Sequence, residues 1–259
     1  MQNMQDHPMD SPELGSFGTG INAVIVGATG GIGKALANHL EQCHAVSKLF
    51  QLSRSAPRSE HTKNPWFHVD FENEETIAKA AAAVEKVAGE LHLVIVATGI
   101  LHDGGRVQPE KTWRSLTGSA METAFRINAI GPALVAKHFL PLLSKDRKSA
   151  FAVLSARVGS VEDNRLGGWY AYRASKAALN MLIKTLSIEL ARSFPNALCV
   201  GLHPGTVDTA LSAPFQKGVS QDKLFSPAQS ARYLLTVLDQ LTPDDSGHLY
   251  AWDESRVPP

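Results

Sequence analysis

Tyr172 and Lys176 lie four residues apart in Ala171-Tyr172-Arg173-Ala174-Ser175-Lys176. Four residues is one helical turn, so a helix puts both side chains on one face. A phenol has a pKa of about 10, and a fixed ammonium beside it is expected to lower that value until the phenol serves as an acid near neutral pH. A second feature lies far upstream, in Val24-Ile25-Val26-Gly27-Ala28-Thr29-Gly30-Gly31-Ile32-Gly33. There an apolar, β-branched run suited to a buried parallel strand gives way to glycine. Gly27 permits a tight turn, and Gly31 and Gly33 let a helix start come close to a ligand, with Thr29, Gly30 and Ile32 completing the loop. Bare amides at that helix start favour a pyrophosphate.

These groups need elements to hold them. Strand patterns occur at 21–28, 47–53, 66–70, 91–98, 149–156, 197–203 and 247–251. Helix patterns occur at 31–42, 73–88, 119–143, 170–194 and 227–241. This alternation predicts an α/β fold, a parallel sheet covered by helices on both faces. Leu179, Leu182, Leu186 and Leu190 form an apolar stripe that sets the helical phase of Tyr172 and Lys176. Residues 21–259 read as one domain. Residues 1–20 lack apolar periodicity and are expected to be a disordered tail.

Composition narrows the function. Acidic and basic residues balance at 25 each, so there is no electrostatic footprint for nucleic acid. No apolar run reaches the ~20 residues of a membrane span, and the N-terminus lacks a secretory pattern. Cys43 and Cys199 are too few for a disulfide framework, which fits a cytoplasmic setting. The histidines show no metal-ligand spacing, so no metal is expected. No Gly-x-Ser-x-Gly nucleophile elbow is present.

The second strand ends Gln51-Leu52-Ser53-Arg54-Ser55. An acidic residue there would bond a ribose hydroxyl, whereas arginine accommodates a 2′-phosphate. Arg54 with Ser53 donating beside it predicts NADP(H) over NAD(H). Arg58 adds charge if its loop folds back.

Gly27-x-x-x-Gly31-x-Gly33, Asp70, Asn128, Tyr172-x-x-x-Lys176 and Pro204-Gly205-Thr206-Val207-Asp208-Thr209 occur in that order. From about residue 21 onward the chain resembles the short-chain dehydrogenase/reductase family. Arg157-Val158-Gly159-Ser160 and the loop to Trp169 are most similar to its C-factor and carbonyl-reductase-like subgroup. The resemblance implies a Rossmann-type, doubly wound, seven-stranded parallel sheet and a nicotinamide cofactor. It implies a small carbonyl or alcohol substrate, and a homodimer or homotetramer formed through helices 119–143 and 170–194. It makes Tyr172, Lys176 and Asn128 the catalytic residues. Asp70, with Phe71 beside it, would accept from the adenine amino group. Ala97, Thr98 and Gly99 stand where the family often has Asn-Asn-Ala-Gly, so both asparagines are missing. Pro204, Gly205 and Thr206 would contact the nicotinamide carboxamide, with Val207 and Thr209 alongside. Pro132 follows Asn128 by four residues and has no amide hydrogen. The helix should kink there and free the Asn128 carbonyl for a water that relays protons to Lys176 and Tyr172.

One departure stands out. The family ends its fifth strand with a serine that polarises the carbonyl, whereas this strand ends Leu154-Ser155-Ala156-Arg157. Aligning on the strand puts Ala156 at that position, and counting back from Tyr172 puts Gly159 there. Strand alternation turns Ser155 to the other face, and Ser160 reaches in only if the loop bends. Losing one oxyanion donor typically costs ~10²–10³ in rate. Two readings follow: a reductase in which Tyr172 protonates the substrate, or an NADP-binding signalling or interaction protein with weak turnover. Arg157, Trp169, Leu211, Phe215 and Phe225 are candidate substrate contacts, as are Asp103, Arg106 and Arg165, though each also suits a packing or solvated role.

Overall fold

The computed structural model describes residues 13–57, 64–105, 107–218 and 220–259, so Arg58 and Arg106 lie outside the described residues. Ten strands form among the described residues, the central ones where apolar residues predominate. These are β1 (Ile21–Val26), β2 (Val46–Ser53), β3 (Trp66–His68), β4 (Leu93–Val96), β5 (Ser149–Leu154), β6 (Ala197–His203), β7 (Thr206–Val207), β8 (Leu224–Phe225), β9 (Leu249–Ala251) and β10 (Arg256–Val257). The main sheet has the order β10-β9-β6-β5-β4-β1-β2-β3. Seven of its strands are parallel, as expected. The eighth, β10, pairs antiparallel with β9 and was not foreseen. At two residues it is too short to carry a pattern. β7 and β8 make a separate two-stranded sheet.

The helices are α1 (Gly31–Gln42), α2 (Glu74–Ala88), α3 (Gly118–Phe125), α4 (Gly131–Phe139), α5 (Tyr170–Leu190) and α6 (Pro227–Gln240). Strand alternation sends side chains to two cores. Ile25, Ile95, Ala152 and Val200 meet Leu36 and Leu40 of α1 and Leu234 and Leu238 of α6. Val26, Val96, Val153 and Cys199 meet Ile77 of α2, Phe139 of α4 and Ile183 of α5. On α5 the buried face runs through Lys176, Leu179, Ile183, Ser187 and Leu190. Leu182 and Leu186 flank that face instead of lying on it.

Two expectations are corrected. Helix 119–143 is not continuous. A π-helical segment, Arg126–Ile130, separates α3 from α4, and Pro132 sits in the first turn of α4. Proline cannot supply the amide that an unbroken α-helix needs there, and one widened turn absorbs the loss. The expected disordered tail is also too long. Gly15–Phe17 forms a 3₁₀ turn, Leu14 and Phe17 are fully buried, and both belong to the first core. Arg147 fastens this stretch by donating to the carbonyls of Phe17, Thr19 and Gly20. Two lone apolar residues among polar ones show no periodicity, but the core still takes them. Phe17→Ala should lower the unfolding free energy by about 3 kcal/mol in urea titration. A loss under about 1 kcal/mol would mean that the segment is not part of the core.

Candidate active site

The C-terminal ends of β1, β2 and β4 open onto a cleft of about 340 Å³. Gly27, Thr29, Gly30, Ser53, Arg54, Asp70, Phe71, Ala97, Thr98 and Gly99 line it. Ligands of open α/β sheets lie in this crevice. Gly27 has φ 87°, and a Cβ there would stand 2.9 Å from Thr98 Cγ2. A Cβ on Gly33 would collide with the Gly27 carbonyl, and one on Gly31 would stand 2.6 Å from Thr209 Cγ2. The loop is therefore closed to side chains, and it brings Thr209 against the start of α1. Gly30 caps α1 with no side-chain bond, which leaves the leading amides available to an anion. Thr98 Oγ1 is buried with no hydrogen-bond partner among the described residues. These features fit a dinucleotide: a cradle that a Cβ would fill, amides at a helix start and an unpaired hydroxyl in the wall.

Arg54 is exposed at the mouth of the cleft. Ser53 differs from expectation. Its hydroxyl donates to Ser55 O at 2.7 Å and accepts from Trp66 Nε1 at 2.8 Å. Its proton is already used, so Arg54 stands without it. Asp70 is fixed by Thr76, which accepts from its amide, and its Oδ1 accepts from the Glu72 amide at 3.0 Å.

Asn128 is fully buried and spans three elements. Its Oδ1 accepts from Ile100 N at 2.8 Å, and its Nδ2 donates to Ile100 O at 2.9 Å and to Ser175 Oγ at 3.0 Å. Both amide hydrogens are thus used, so the side chain clamps and does not shuttle protons. Ser175 Oγ donates on to Tyr172 O. Lys176 is 3% exposed and donates to Leu154 O at 2.8 Å. Its Nζ lies 5.9 Å from the centre of the Tyr172 ring, and 3.8 Å from where a Cβ on Gly99 would be. Lys176 therefore reaches the Gly99 end of the cleft, with the Tyr172 ring beside it.

Burial pushes the Lys176 ammonium down to about 7 and the Tyr172 phenol up to about 12. This reverses the expected direction for the phenol. Loss of water around the phenol sets the direction of its shift. Part of Tyr172 remains solvent-accessible. What matters for chemistry is the direction: a phenol that keeps its proton.

Neither Ser155 nor Ser160 takes the missing position. Ser155 Oγ donates to Asn180 Oδ1 at 2.7 Å, on the face that alternation predicts. Ser160 Oγ donates to Pro259 O at 3.0 Å and accepts from the Asp163 amide, so its loop does not bend inward. Ala156 is extended and half-buried. Arg157 pairs with Asp163 at 3.2 Å. Trp169 lies beside Tyr172, with ring centres 6.3 Å apart, and its other neighbour is Phe215 at 5.1 Å. Phe225 instead packs against Tyr233 and Trp252. Gly205 has φ 76° and lies so close to Phe225 that no side chain fits. Ser230 Oγ donates to Pro204 O at 2.9 Å, and Thr206 and Val207 pair with β8. His102 and Glu110 also join this region, and sequence reasoning missed both. His102 Nε2 lies 3.1 Å from Ala210 O and its ring 5.6 Å from Phe215. Such contacts span about a hundred residues and leave no mark in local spacing.

A family model described as short chain dehydrogenase matches residues 22–220. C-signal of Myxococcus xanthus is 37% identical over 138 residues, 53% of this chain and 78% of that protein. The 1-hydroxy-2-glutathionyl-2-methyl-3-butene dehydrogenase of Rhodococcus sp. (strain AD45) is 31% identical over 183 residues, 69% of this chain and 73% of that one. The solved structure of an NADPH-bound carbonyl reductase from chicken fatty liver superposes with a TM-score of 0.79 at 26% identity, covering 93% of this chain and 99% of that one. With its parallel sheet, glycine cradle and Tyr172–Lys176 pair, the chain belongs to the short-chain dehydrogenase family.

Proposed function

We propose that this protein is an NADP(H)-dependent oxidoreductase that reduces an aldehyde or ketone, with Tyr172 as the proton donor. The observation that carries this reading is the approach of Lys176 to the Gly99 end of the cleft with the Tyr172 ring beside it. A bound nicotinamide coenzyme supplies the hydride. Tyr172 gives its proton to the carbonyl oxygen as charge builds there. Burial keeps that phenol protonated, which suits reduction more than alcohol oxidation. Lys176 spends one hydrogen on Leu154 O and has others to hold a ribose hydroxyl and return a proton to Tyr172. The Asn128 main-chain carbonyl, which has no Pro132 amide to accept from, would hold a water on that route.

Arg54 supports NADP(H), and the chicken carbonyl reductase, which is NADPH-bound, supports it by similarity. Pro204 through Val207, with Thr209, would contact the nicotinamide end. Exposed Ile130, Met181 and Ile188, on the π segment and α5, support self-association through those helices. No helix among the described residues is long and apolar enough to cross a membrane.

A second reading, an NADP-binding protein with weak turnover, draws on Ala156 and on the committed hydroxyls of Ser155 and Ser160. Tyr172 and the buried Lys176 weigh against it, because dinucleotide binding alone does not need a phenol there.

Three outcomes check this account. With NADPH and a panel of aldehydes, ketones and quinones, Tyr172→Phe should lower kcat at least about 100-fold while NADPH binding is kept. Absence of turnover in the wild type would favour the second reading. In calorimetry, the wild type should prefer NADP(H) over NAD(H), and Arg54→Ala should remove about 1.5–3 kcal/mol of that preference. Equal affinities in the wild type would refute the cofactor assignment. Lys176 sets a pH dependence of stability. The unfolded chain keeps the lysine proton up to about 10.5, and the folded chain loses it above about 7. Between those values the unfolded state binds more protons, so the unfolding free energy rises with pH. Lys176→Met should flatten that rise, and an unchanged slope would contradict the burial of Lys176.

A further inference from the structure

We propose that Glu110 is a positioning residue for Tyr172, acting through the first turn of α5 and through Trp169. The inference rests on the reading of Tyr172 as proton donor. α5 has no side-chain cap of its own. Its N-cap residue, Trp169, has φ 51° and ψ 44°, a left-handed conformation that side chains of this size rarely adopt. Gly167 and Gly168 lead into it, also at positive φ. Such a conformation persists only where surrounding contacts enforce it.

Glu110, on the loop that follows β4, supplies those contacts. Its main-chain oxygen accepts from Trp169 N at 2.6 Å, and its Oε2 accepts from Ala171 N at 3.2 Å. The Ala171 amide is one of the leading helix amides that a local cap would otherwise satisfy. Glu110 therefore caps α5 from 61 residues away, one residue before Tyr172. It is 4% exposed, and its Oε1 has no hydrogen-bond partner among the described residues. A carboxyl this enclosed has little freedom, and the groups it holds share its fixed position.

The same anchor aims the Trp169 indole. That ring stands between Tyr172 and Phe215, and Phe215 meets His102. The wall beside the phenol is thus tied to Glu110. Lys176 is anchored separately, by Leu154 O one turn further along. Loss of the Glu110 carboxyl should loosen the phenol while leaving the lysine and the glycine cradle in place.

The test compares wild type, Glu110→Ala and Glu110→Gln by amide hydrogen exchange and by kinetics with NADPH and a carbonyl panel. Glu110→Ala should speed exchange of amides 170–173 about tenfold and leave 176–187 unchanged. It should lower kcat about 10- to 100-fold with the NADPH Kd unchanged. Glu110→Gln keeps an oxygen for the Ala171 amide and should restore both protection and kcat. Where Glu110→Ala does not fold, Glu110→Asp, which withdraws the carboxyl by one methylene, should show the same loosening. Unaltered exchange at 170–173 overturns the proposal, whatever the turnover. Loosening spread evenly over the chain, or a rate loss that Glu110→Gln does not recover, overturns it as well. A wild type without turnover would refute Tyr172 as donor, and the exchange pattern would still decide whether Glu110 holds α5.

Discussion

The buried carboxamide of Asn128 is the constraint on which the rest of the site depends. It holds the amide and the carbonyl of Ile100 together, and with its remaining hydrogen it reaches Ser175 on α5. The loop after β4, the α3–α4 junction and the Tyr172 helix are thereby locked into one frame. Removing it would leave the Ile100 amide and carbonyl without their partner in the wall of the cleft and would cut the tie to Ser175 on α5. The π turn at Arg126–Ile130 belongs to the same device. A widened turn shifts helical phase, and with that shift Asn128 faces inward while Pro132 is accommodated.

Around this frame the chain buries groups that favour water. Lys176 sits almost without exposure and is driven down to about 7. Tyr172 is driven the other way, to about 12. A fold selected for stability alone would fill these positions with apolar residues, since a buried ammonium costs several kcal/mol. Lys176 sits on the core-facing side of α5 with Leu179 and Ile183, and Tyr172, one turn before it, is half-buried. What the site lacks is a second donor at Ala156, and neither nearby serine supplies one. In the proposed reduction, the developing oxyanion would therefore depend more heavily on the phenol than it would beside a serine.

Much of this was legible in the sequence because its causes are local. Gly30 and Gly31 mark the start of α1, and Ser226 with Gln229 forms a capping box that starts α6 where expected. Short, mostly apolar runs between helix patterns located every parallel strand of the sheet. The Tyr172–Lys176 spacing and the glycine loop carried most of the site. The rest has non-local causes. Ser53 lines the cleft with its hydroxyl already committed, since it donates to Ser55 O and accepts from Trp66, thirteen residues on. The phenol's shift follows from packing by several elements at once, which no spacing between two residues encodes. Leu14 and Phe17 looked like strays in a polar stretch, and only the folded core shows that they have a place.

The most direct measurement of the central claim is the position of the nicotinamide ring in a crystal structure of the NADPH complex. The account predicts the ring beside Gly99 with its reactive face toward the Tyr172 hydroxyl, Lys176 at the adjoining ribose and the 2′-phosphate at Arg54. A ring lodged away from Tyr172, or a 2′-phosphate out of reach of Arg54, would contradict it.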